Sequence, residues 1–220
     1  MKLVLASGSQ RRRELLTMCG YDYEIIVSNA DETIDENDPE SFVRALSFRK
    51  AKEVFDRLFA AGRRDFAVIG SDTVVAFQKE GETKPVIIGK PKDAEDAVRI
   101  LSMLSGKTHR VFTGVSVIAD IPDENAAAQC SIREKAEIQT ECSITEVTFE
   151  TLSPDEITDY VNSGDPLDKA GSYGIQGPFG MFVREIRGNY FTVIGMPIPV
   201  LYKMLKKIGI LPHGFYERIE

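Results

Sequence analysis

The first segment with a pattern suited to phosphate chemistry is Ser7-Gly8-Ser9-Gln10-Arg11-Arg12, which lies between an apolar run and a predicted helix. The first N–H groups of a helix have no partner within it and carry the positive end of its dipole, so such a turn can bind phosphate oxygens. Arg11 and Arg12 would add charge-assisted contacts. A solvated basic helix start with Ser9 as N-cap explains the same residues equally well.

A carboxylate follows a second apolar run. Asp72 lies in Ser71-Asp72-Thr73, directly after residues 66–70. The carboxyl end of a buried strand is where open α/β sheets place their ligands, so Asp72 is a candidate to bind a metal ion or to activate water. The alternative is a turn aspartate with no chemical role.

Further charged residues fit the same chemistry but are ambiguous when taken alone. Lys50 lies on a long predicted helix, and Lys90 stands between Gly89 and Pro91, which restrict the backbone around it. Residues 29–40 hold six acidic side chains, among them Glu36, and no basic one. Isolated lysines and acidic runs are most often solvated, so their role depends on what the fold brings near them.

A glycine-rich segment at 165–180 holds the last candidate, Gln176, which is preceded by Gly174 and followed by Gly177. Glycine lets a backbone approach a ligand closely, and a carboxamide can offer a donor and an acceptor to the edge of a base. A compact structural loop is the alternative interpretation.

Several other chemistries are excluded by what the sequence lacks. Ser105-Gly106-Lys107-Thr108 resembles the end of a P-loop, but Leu101 stands where that pattern requires glycine. There is no GxSxG motif, and the two histidines and three cysteines lack the spacing of zinc ligands. Carboxylates, lysines and arginines are abundant instead, which favours Mg²⁺ and phosphate chemistry.

Composition narrows the setting in which the protein works. The 220 residues carry a formal net charge of -7, which argues against nucleic acid or an anionic membrane as partner. The sequence has no apolar run of the roughly 20 residues that a membrane span needs. Three cysteines without a pairing pattern indicate a reduced, cytoplasmic protein.

The elements that must position these residues alternate between strands and helices. Helices are predicted at 11–19, 39–59, 93–104, 153–164 and 198–208, and strands at 2–6, 23–28, 66–70, 73–77, 111–119, 136–139, 142–148 and 182–186. This alternation predicts an α/β fold without a clear domain boundary.

Taken together, the segments resemble the Maf (septum-formation) family of nucleoside triphosphate pyrophosphatases, and the resemblance extends over nearly the whole chain. The matching segments are LVLASGSQRRRELL at 3–16, Lys50-Ala51, GSDTVV at 70–75, GKPKDAEDA at 89–97, THRVFTGV at 108–115, TEVTF at 145–149 and GDPLDKAGSYGIQG at 164–177. The resemblance implies an inosine-triphosphatase-like α/β fold: an elongated mixed sheet flanked by helices, with two lobes and a central cleft. One domain would span 1–220, with a family-atypical insertion at about 120–140.

The resemblance also implies roles for individual residues. Asp72 would be the catalytic carboxylate and, together with Glu36, a metal ligand. The positions tied to substrate choice or to the phosphates are Ser7, Arg11, Arg12, Lys50, Thr73, Lys90 and Gln176. The SDT and AGSYGIQG forms resemble the branch that acts on dTTP and UTP.

The implied activity is hydrolysis of dTTP and UTP, with modified pyrimidine nucleotides as further candidates, to a nucleoside monophosphate and pyrophosphate. The implied cofactor is a divalent cation, Mg²⁺ or Mn²⁺. Dimers are common in the family, so a homodimer is one assembly that the resemblance allows. A non-catalytic nucleotide-binding regulator of cell division or septum formation is the alternative function.

Overall fold

A mixed β-sheet flanked by helices forms the frame of this protein in the computed structural model, which describes residues 1–78, 81–121 and 136–214. The α/β fold predicted from the sequence is therefore confirmed. Most of the predicted insertion at about 120–140 lies outside the described residues. Of its described residues, Asp120 is the last residue of one strand, and Ala136 is the first residue of the strand that pairs with it.

The described segments contain seven strands and six α-helices. The strands are β1 (Lys2–Leu5), β2 (Glu24–Ile25), β3 (Phe66–Phe77), β4 (Val86–Ile88), β5 (Thr108–Asp120), β6 (Ala136–Phe149) and β7 (Val183–Arg187). The helices are α1 (Gln10–Met18), α2 (Pro39–Ala60), α3 (Ala94–Leu104), α4 (Pro154–Asn162), α5 (Tyr190–Ile194) and α6 (Ile198–Lys207).

The sheet has the order β2-β1-β3-β5-β6-β7, with β4 as an additional partner of β3. β1 runs parallel to both β2 and β3, whereas β4, β5, β6 and β7 join by antiparallel pairing. β5 pairs with β3 along residues 67–76, so β1 and β4 must share the opposite edge of β3.

Local capping signals explain where the helices begin. Asp38 and Asp93 accept hydrogen bonds from backbone N–H groups in the first turns of α2 and α3. Ser153 and Glu156 form a reciprocal capping box at the start of α4. The helix starts predicted from these residues at α3 and α4 are therefore confirmed.

The strand predictions at 66–77 and 136–148 were wrong in dividing each region in two, because β3 and β6 are continuous. Ser71 lies between the two predicted strands, but its hydroxyl oxygen is 3.0 Å from the carbonyl oxygen of Gly114 and 2.9 Å from that of Gly195, and its single proton is shared between these two acceptors inside the sheet. Asp72 consequently lies in the middle of β3 rather than at its end. The short β4 and α5 were not predicted.

Two hydrophobic cores lie toward opposite ends of the long central strands. One packs α1 and α6 against Ile69 and Val117, and the other packs α3 and α4 against Val75 and Val111. On the other face of the sheet, α2 covers β3 along its length. The region around Asp72 lies between the two cores.

Candidate active site

A gap between two neighbouring strands exposes the edge of β3 at Asp72. β1 pairs with β3 at residues 66–69, and β4 pairs with it at 75–77. β1 is parallel to β3 and β4 is antiparallel, so the carboxyl ends of both strands point into the gap from opposite sides. The segments that follow them, Ser7–Arg12 and Gly89-Lys90, are thereby brought to the same place.

Asp72 is held by a lysine from α2. Its Oδ1 lies 2.7 Å from Nζ of Lys50, and Oε1 of Glu32 lies 3.1 Å from the same ammonium group. Asp72 is only 8% exposed, and an ion pair with so little solvent around it is much less screened than a surface pair. Lys50 therefore holds two carboxylates together at the gap.

Two glycines explain how α2 comes close enough to do this. A Cβ atom on Gly70 would overlap the carbonyl oxygen of Ser47, and one on Gly114 would overlap the carbonyl oxygen of Val43. The helix backbone thus lies directly on two adjacent strands, which no larger residue would permit. This approach carries Lys50, three residues after Ser47, onto Asp72.

Arg12 connects the turn after β1 to the middle of β3. Its Nε donates to the carbonyl oxygen of Gly195 at 2.9 Å, and its two terminal nitrogens donate to Ser7 Oγ at 3.2 Å and Thr73 Oγ1 at 3.4 Å. Burial lowers the pKa of the guanidinium, while the nearby Asp72 raises it. Arg12 stays charged because arginine titrates far above neutral pH.

Lys90 reaches the gap from the other side. It follows β4, is exposed, and lines the cleft. The backbone N–H of Gly171 donates to the carbonyl oxygen of Gly89 at 3.0 Å. Gly171 has φ +73°, and a Cβ there would come within 2.5 Å of Val75. Glycine therefore allows the glycine-rich segment 165–180 to lie against β3.

Gln176 lies at the tip of a turn in which the N–H of Gly177 donates to the carbonyl oxygen of Gly174. Its side chain is exposed and lines the cleft. The same loop is tied to α1, because Arg11 Nη1 lies 3.2 Å from Asp168 Oδ2. Lys169 also pairs with Asp168, at 2.7 Å.

The base of this loop is anchored by buried aromatic residues. The hydroxyl of Tyr160 accepts from the N–H of Gly174, and Tyr173 Oη lies 3.0 Å from His109 Nε2. Burial raises the pKa of both tyrosines and lowers the pKa of His109 to about 3, so all three side chains are neutral at physiological pH. No sequence pattern indicated that His109 supports the loop that carries Gln176.

One cleft of about 1170 Å³ collects most of the residues selected from the sequence. Those that line it are Ser7, Arg11, Arg12, Lys50, Asp72, Thr73, Lys90 and Gln176. Glu36 is not among the lining residues, and its carboxylate accepts instead from the N–H groups of Asn37 and Asp38. Glu32 of the same acidic loop lines the cleft, where it forms an ion pair with Lys50.

Divalent metal binding fits the donors of this cleft. Asp72 and Glu32 both lie beside Lys50 Nζ, at 2.7 and 3.1 Å, so the two carboxylates are close together, and Mg²⁺ is commonly held by one or two carboxylates together with substrate phosphates. Within 1–78, 81–121 and 136–214, no group of three or more histidine, cysteine, aspartate or glutamate side chains could hold a metal ion alone. A metal ion here would thus depend on phosphate oxygens for part of its coordination.

The charges of the cleft also indicate that a divalent cation would bind together with a phosphate ligand. Five basic and five acidic side chains line it, namely Arg11, Arg12, Lys50, Lys90 and Lys169, with Glu14, Glu32, Asp72, Asp165 and Asp168. Their formal charges cancel, so a highly charged anion such as a triphosphate would not be neutralised by the cleft alone. A divalent cation arriving with the anion would reduce this excess of negative charge.

The fold and the cleft define an α/β protein in which a carboxylate and several cations meet in a cleft at the edge of a central strand. Residues 2–208 match the family model described as Maf-like protein. The described helices include none that is both long and apolar enough to cross a bilayer.

Comparison with known proteins identifies its relatives. The chain is 41% identical over 217 residues to the dTTP/UTP pyrophosphatase of Agathobacter rectalis, covering 95% of this chain and 98% of that protein. It is 42% identical over 210 residues to the dTTP/UTP pyrophosphatase of Bacillus thuringiensis subsp. konkukian, covering 95% and 96%. The chain therefore belongs to the Maf-like family.

Among solved structures, the chain is similar to the Ham1 protein of Staphylococcus aureus. The TM-score is 0.49 at 16% identity, and the match covers 94% of this chain and 99% of that one.

Proposed function

We propose that this protein hydrolyses dTTP and UTP to the nucleoside monophosphate and pyrophosphate. Modified pyrimidine nucleotides are further candidate substrates. The observation that carries the proposal is the convergence of Asp72, Lys50, Arg12 and Lys90 at the exposed edge of β3, within a cleft that Gln176 also lines. The curated relatives that carry the name dTTP/UTP pyrophosphatase support the choice of substrate.

The basic residues surround the cleft from three sides, as a polyphosphate would require. Arg12 enters from α1, Lys50 from α2, and Lys90 from the segment after β4. Because Arg12 is fixed by three hydrogen bonds, its charge is positioned before substrate binds. In the proposed reaction these cations stabilise the charge that develops on the pyrophosphate leaving group.

Asp72 is the proposed general base. Its carboxylate accepts a proton from the attacking water, and the hydrogen bond from Lys50 orients the carboxylate. A divalent cation, Mg²⁺ or Mn²⁺, held by Asp72 and Glu32 would polarise the α-phosphate and lower the pKa of bound water. Glu32 replaces Glu36 as the proposed second carboxylate, because Glu32 lies beside Lys50 in the cleft.

Gln176 and Thr73 are the proposed base-reading residues. Uracil and thymine present two carbonyl acceptors on either side of an N3–H donor, so the carboxamide N–H of Gln176 can donate to one carbonyl oxygen and leave N3–H to a second residue. Both side chains line the cleft, and Gln176 is exposed at the tip of its turn. We further propose a single catalytic domain spanning 1–220 and a cytoplasmic location, which the free thiols of Cys19 and Cys142 support.

The identity of the first product tests this function. UTP incubated with protein and Mg²⁺ should yield UMP and pyrophosphate, separated by chromatography and detected as phosphate only after inorganic pyrophosphatase is added. UDP and phosphate as first products would show attack at the γ-phosphorus and contradict the proposal. Nucleotide binding without turnover would favour a non-catalytic regulator of division instead.

A further inference from the structure

Thr73 belongs to a chain of hydroxyl groups that runs from the cleft into the sheet. Thr73 on β3 lies opposite Thr113 on β5, and their hydroxyl oxygens are 3.0 Å apart. Thr113 is fully buried, and its Oγ1 lies 2.7 Å from the carbonyl oxygen of Thr192 at α5. Arg12 Nη2 approaches the hydroxyl of Thr73 from the cleft side at 3.4 Å.

The direction of each hydrogen bond in this chain follows from the chemistry of its ends. A carbonyl oxygen only accepts, so the single proton of the Thr113 hydroxyl is directed to Thr192. Thr113 must then accept from Thr73, which uses the only proton of the Thr73 hydroxyl. A guanidinium only donates, so Thr73 accepts from Arg12, which is consistent with this direction.

Thr73 consequently presents an acceptor to the cleft. A hydroxyl oxygen has two lone pairs, of which Arg12 uses one, and its proton is committed to Thr113. The remaining lone pair can accept a hydrogen bond from a ligand. The Thr73 hydroxyl cannot donate to a ligand while its own proton is donated to Thr113. At this point a ligand would find an acceptor for its donor groups and no donor for its acceptor groups.

We propose that Thr113, which does not line the cleft, is a positioning residue that fixes Thr73 as a hydrogen-bond acceptor for a donor group on the nucleotide. This inference rests on the proposed function and deepens it. The N3–H of uracil or thymine is such a donor, whereas the same position of cytosine is an acceptor that would face the Thr73 lone pair. A sugar hydroxyl supplies the same donor chemistry.

The variant Thr113→Val tests this role with little disturbance of the fold. Valine keeps the β-branched shape suited to a strand, and the carbonyl oxygen of Thr192 retains the N–H of Gly195 as a donor. Without Thr113 Oγ1, the Thr73 hydroxyl can rotate and donate to a ligand. Thr113→Ser restores the hydroxyl and is the conservative rescue.

A control variant removes another threonine pair between paired strands, at an exposed position. Thr108, also on β5, lies 2.8 Å from the hydroxyl of Thr148 on β6, and neither residue lines the cleft. Thr108→Val should leave the ratio of affinities for different nucleotides unchanged. A change shared by both valine variants would indicate a general effect of the substitution on the sheet.

The experiment measures kcat/KM for UTP, CTP and 3′-deoxy-UTP in the four proteins, and Kd for the hydrolysis-resistant α,β-methylene forms of the same three nucleotides by calorimetry. In Thr113→Val the preference for UTP over CTP should fall about tenfold if the donor is N3–H, and the preference for UTP over 3′-deoxy-UTP should fall if the donor is the sugar hydroxyl. Thr113→Ser should keep both preferences.

Either loss of preference, restored by serine, supports the positioning role. Equal changes for all three nucleotides, or no change, would overturn it. The binding measurement separates this outcome from failure of the proposed function. A wild-type protein that binds the analogues but hydrolyses no nucleotide would contradict the enzymatic activity, whereas the effect of Thr113 on base or sugar preference would still be read from Kd.

Discussion

Acidification should destabilise this protein through His109, a residue distant in sequence from the proposed catalytic carboxylate. The imidazole is only 2% exposed and packs edge-on against the rings of Phe149 and Tyr173. Its Nε2 is hydrogen-bonded to Tyr173, and its buried Nδ1 has no hydrogen-bond partner among the described residues. Protonation would therefore place a charge in an apolar environment with no carboxylate in contact to balance it.

The magnitude follows from the pKa of His109 in the two states. Burial lowers the folded pKa to about 3, whereas an unfolded histidine titrates at 6.5. Between these values the unfolded chain binds a proton that the folded chain does not, so stability falls as pH falls. The contribution is fully present above about pH 6.5, and at pH 5 about 2 kcal/mol of it should be lost.

Urea unfolding at pH 7.5 and pH 5.0 measures this contribution. The wild-type protein and His109→Gln are compared, because glutamine does not titrate and its amide can still pair with the hydroxyl of Tyr173. The drop in unfolding free energy between the two pH values should be about 2 kcal/mol larger in the wild type, since carboxylates contribute equally to both proteins. Equal drops in the two proteins would refute the buried neutral histidine.

Three further substitutions test the cleft. Asp72→Asn should lower kcat about 10²-fold or more, as for loss of a general base, while Kd for a hydrolysis-resistant UTP analogue changes little. Gly114→Ala should lower the unfolding free energy by about 1–3 kcal/mol and reduce kcat, because the new methyl group overlaps Val43 and displaces α2 with Lys50. Gln176→Glu should reduce kcat/KM for UTP and dTTP more than for 7-methyl-GTP, because it removes the N–H donor and adds a negative charge near the base carbonyls.

Each of these has a result that contradicts it. Turnover close to wild type in Asp72→Asn would remove this carboxylate from the mechanism. For Gly114→Ala, the stability control is Gly89→Ala, where a Cβ would meet no atom within 4 Å, and equal stability of the two variants would disprove the close approach of α2. A uniform loss across all nucleotides in Gln176→Glu would give Gln176 a structural or phosphate-side role.

Features that depend on local chemistry were predictable from the sequence. The starts of α3 and α4 follow from Asp93, Ser153 and Glu156, whose capping contacts lie within three residues of each other. The continuity of β3 was not predictable, because Ser71 is satisfied by carbonyl oxygens of Gly114 and Gly195, more than 40 positions away.

The same distinction applies to the cleft. Residues with distinctive neighbours, such as Asp72 and Gln176, were selected from the sequence and lie in the cleft. Glu32 and Glu36 belong to the same acidic run and have no local feature to separate them, so only the position of Lys50 on α2 distinguishes Glu32 from Glu36. The role proposed for Thr113 depends on its cross-strand neighbour Thr73, so it could not be predicted from the sequence either.

The ion pair between Arg11 and Asp168 breaks and reforms thermally, so this part of the cleft alternates between a state with the contact and a state without it. The two side chains are 31% and 67% exposed, and a pair of this kind is worth at most about 1 kcal/mol. At that strength the contact is broken in about one molecule in six, or more often at high ionic strength. A phosphate or base that binds Arg11 must first break the contact with Asp168, which would lower its affinity by no more than about sixfold. Binding of the ligand would then also free the loop that carries Gln176 from this contact with α1.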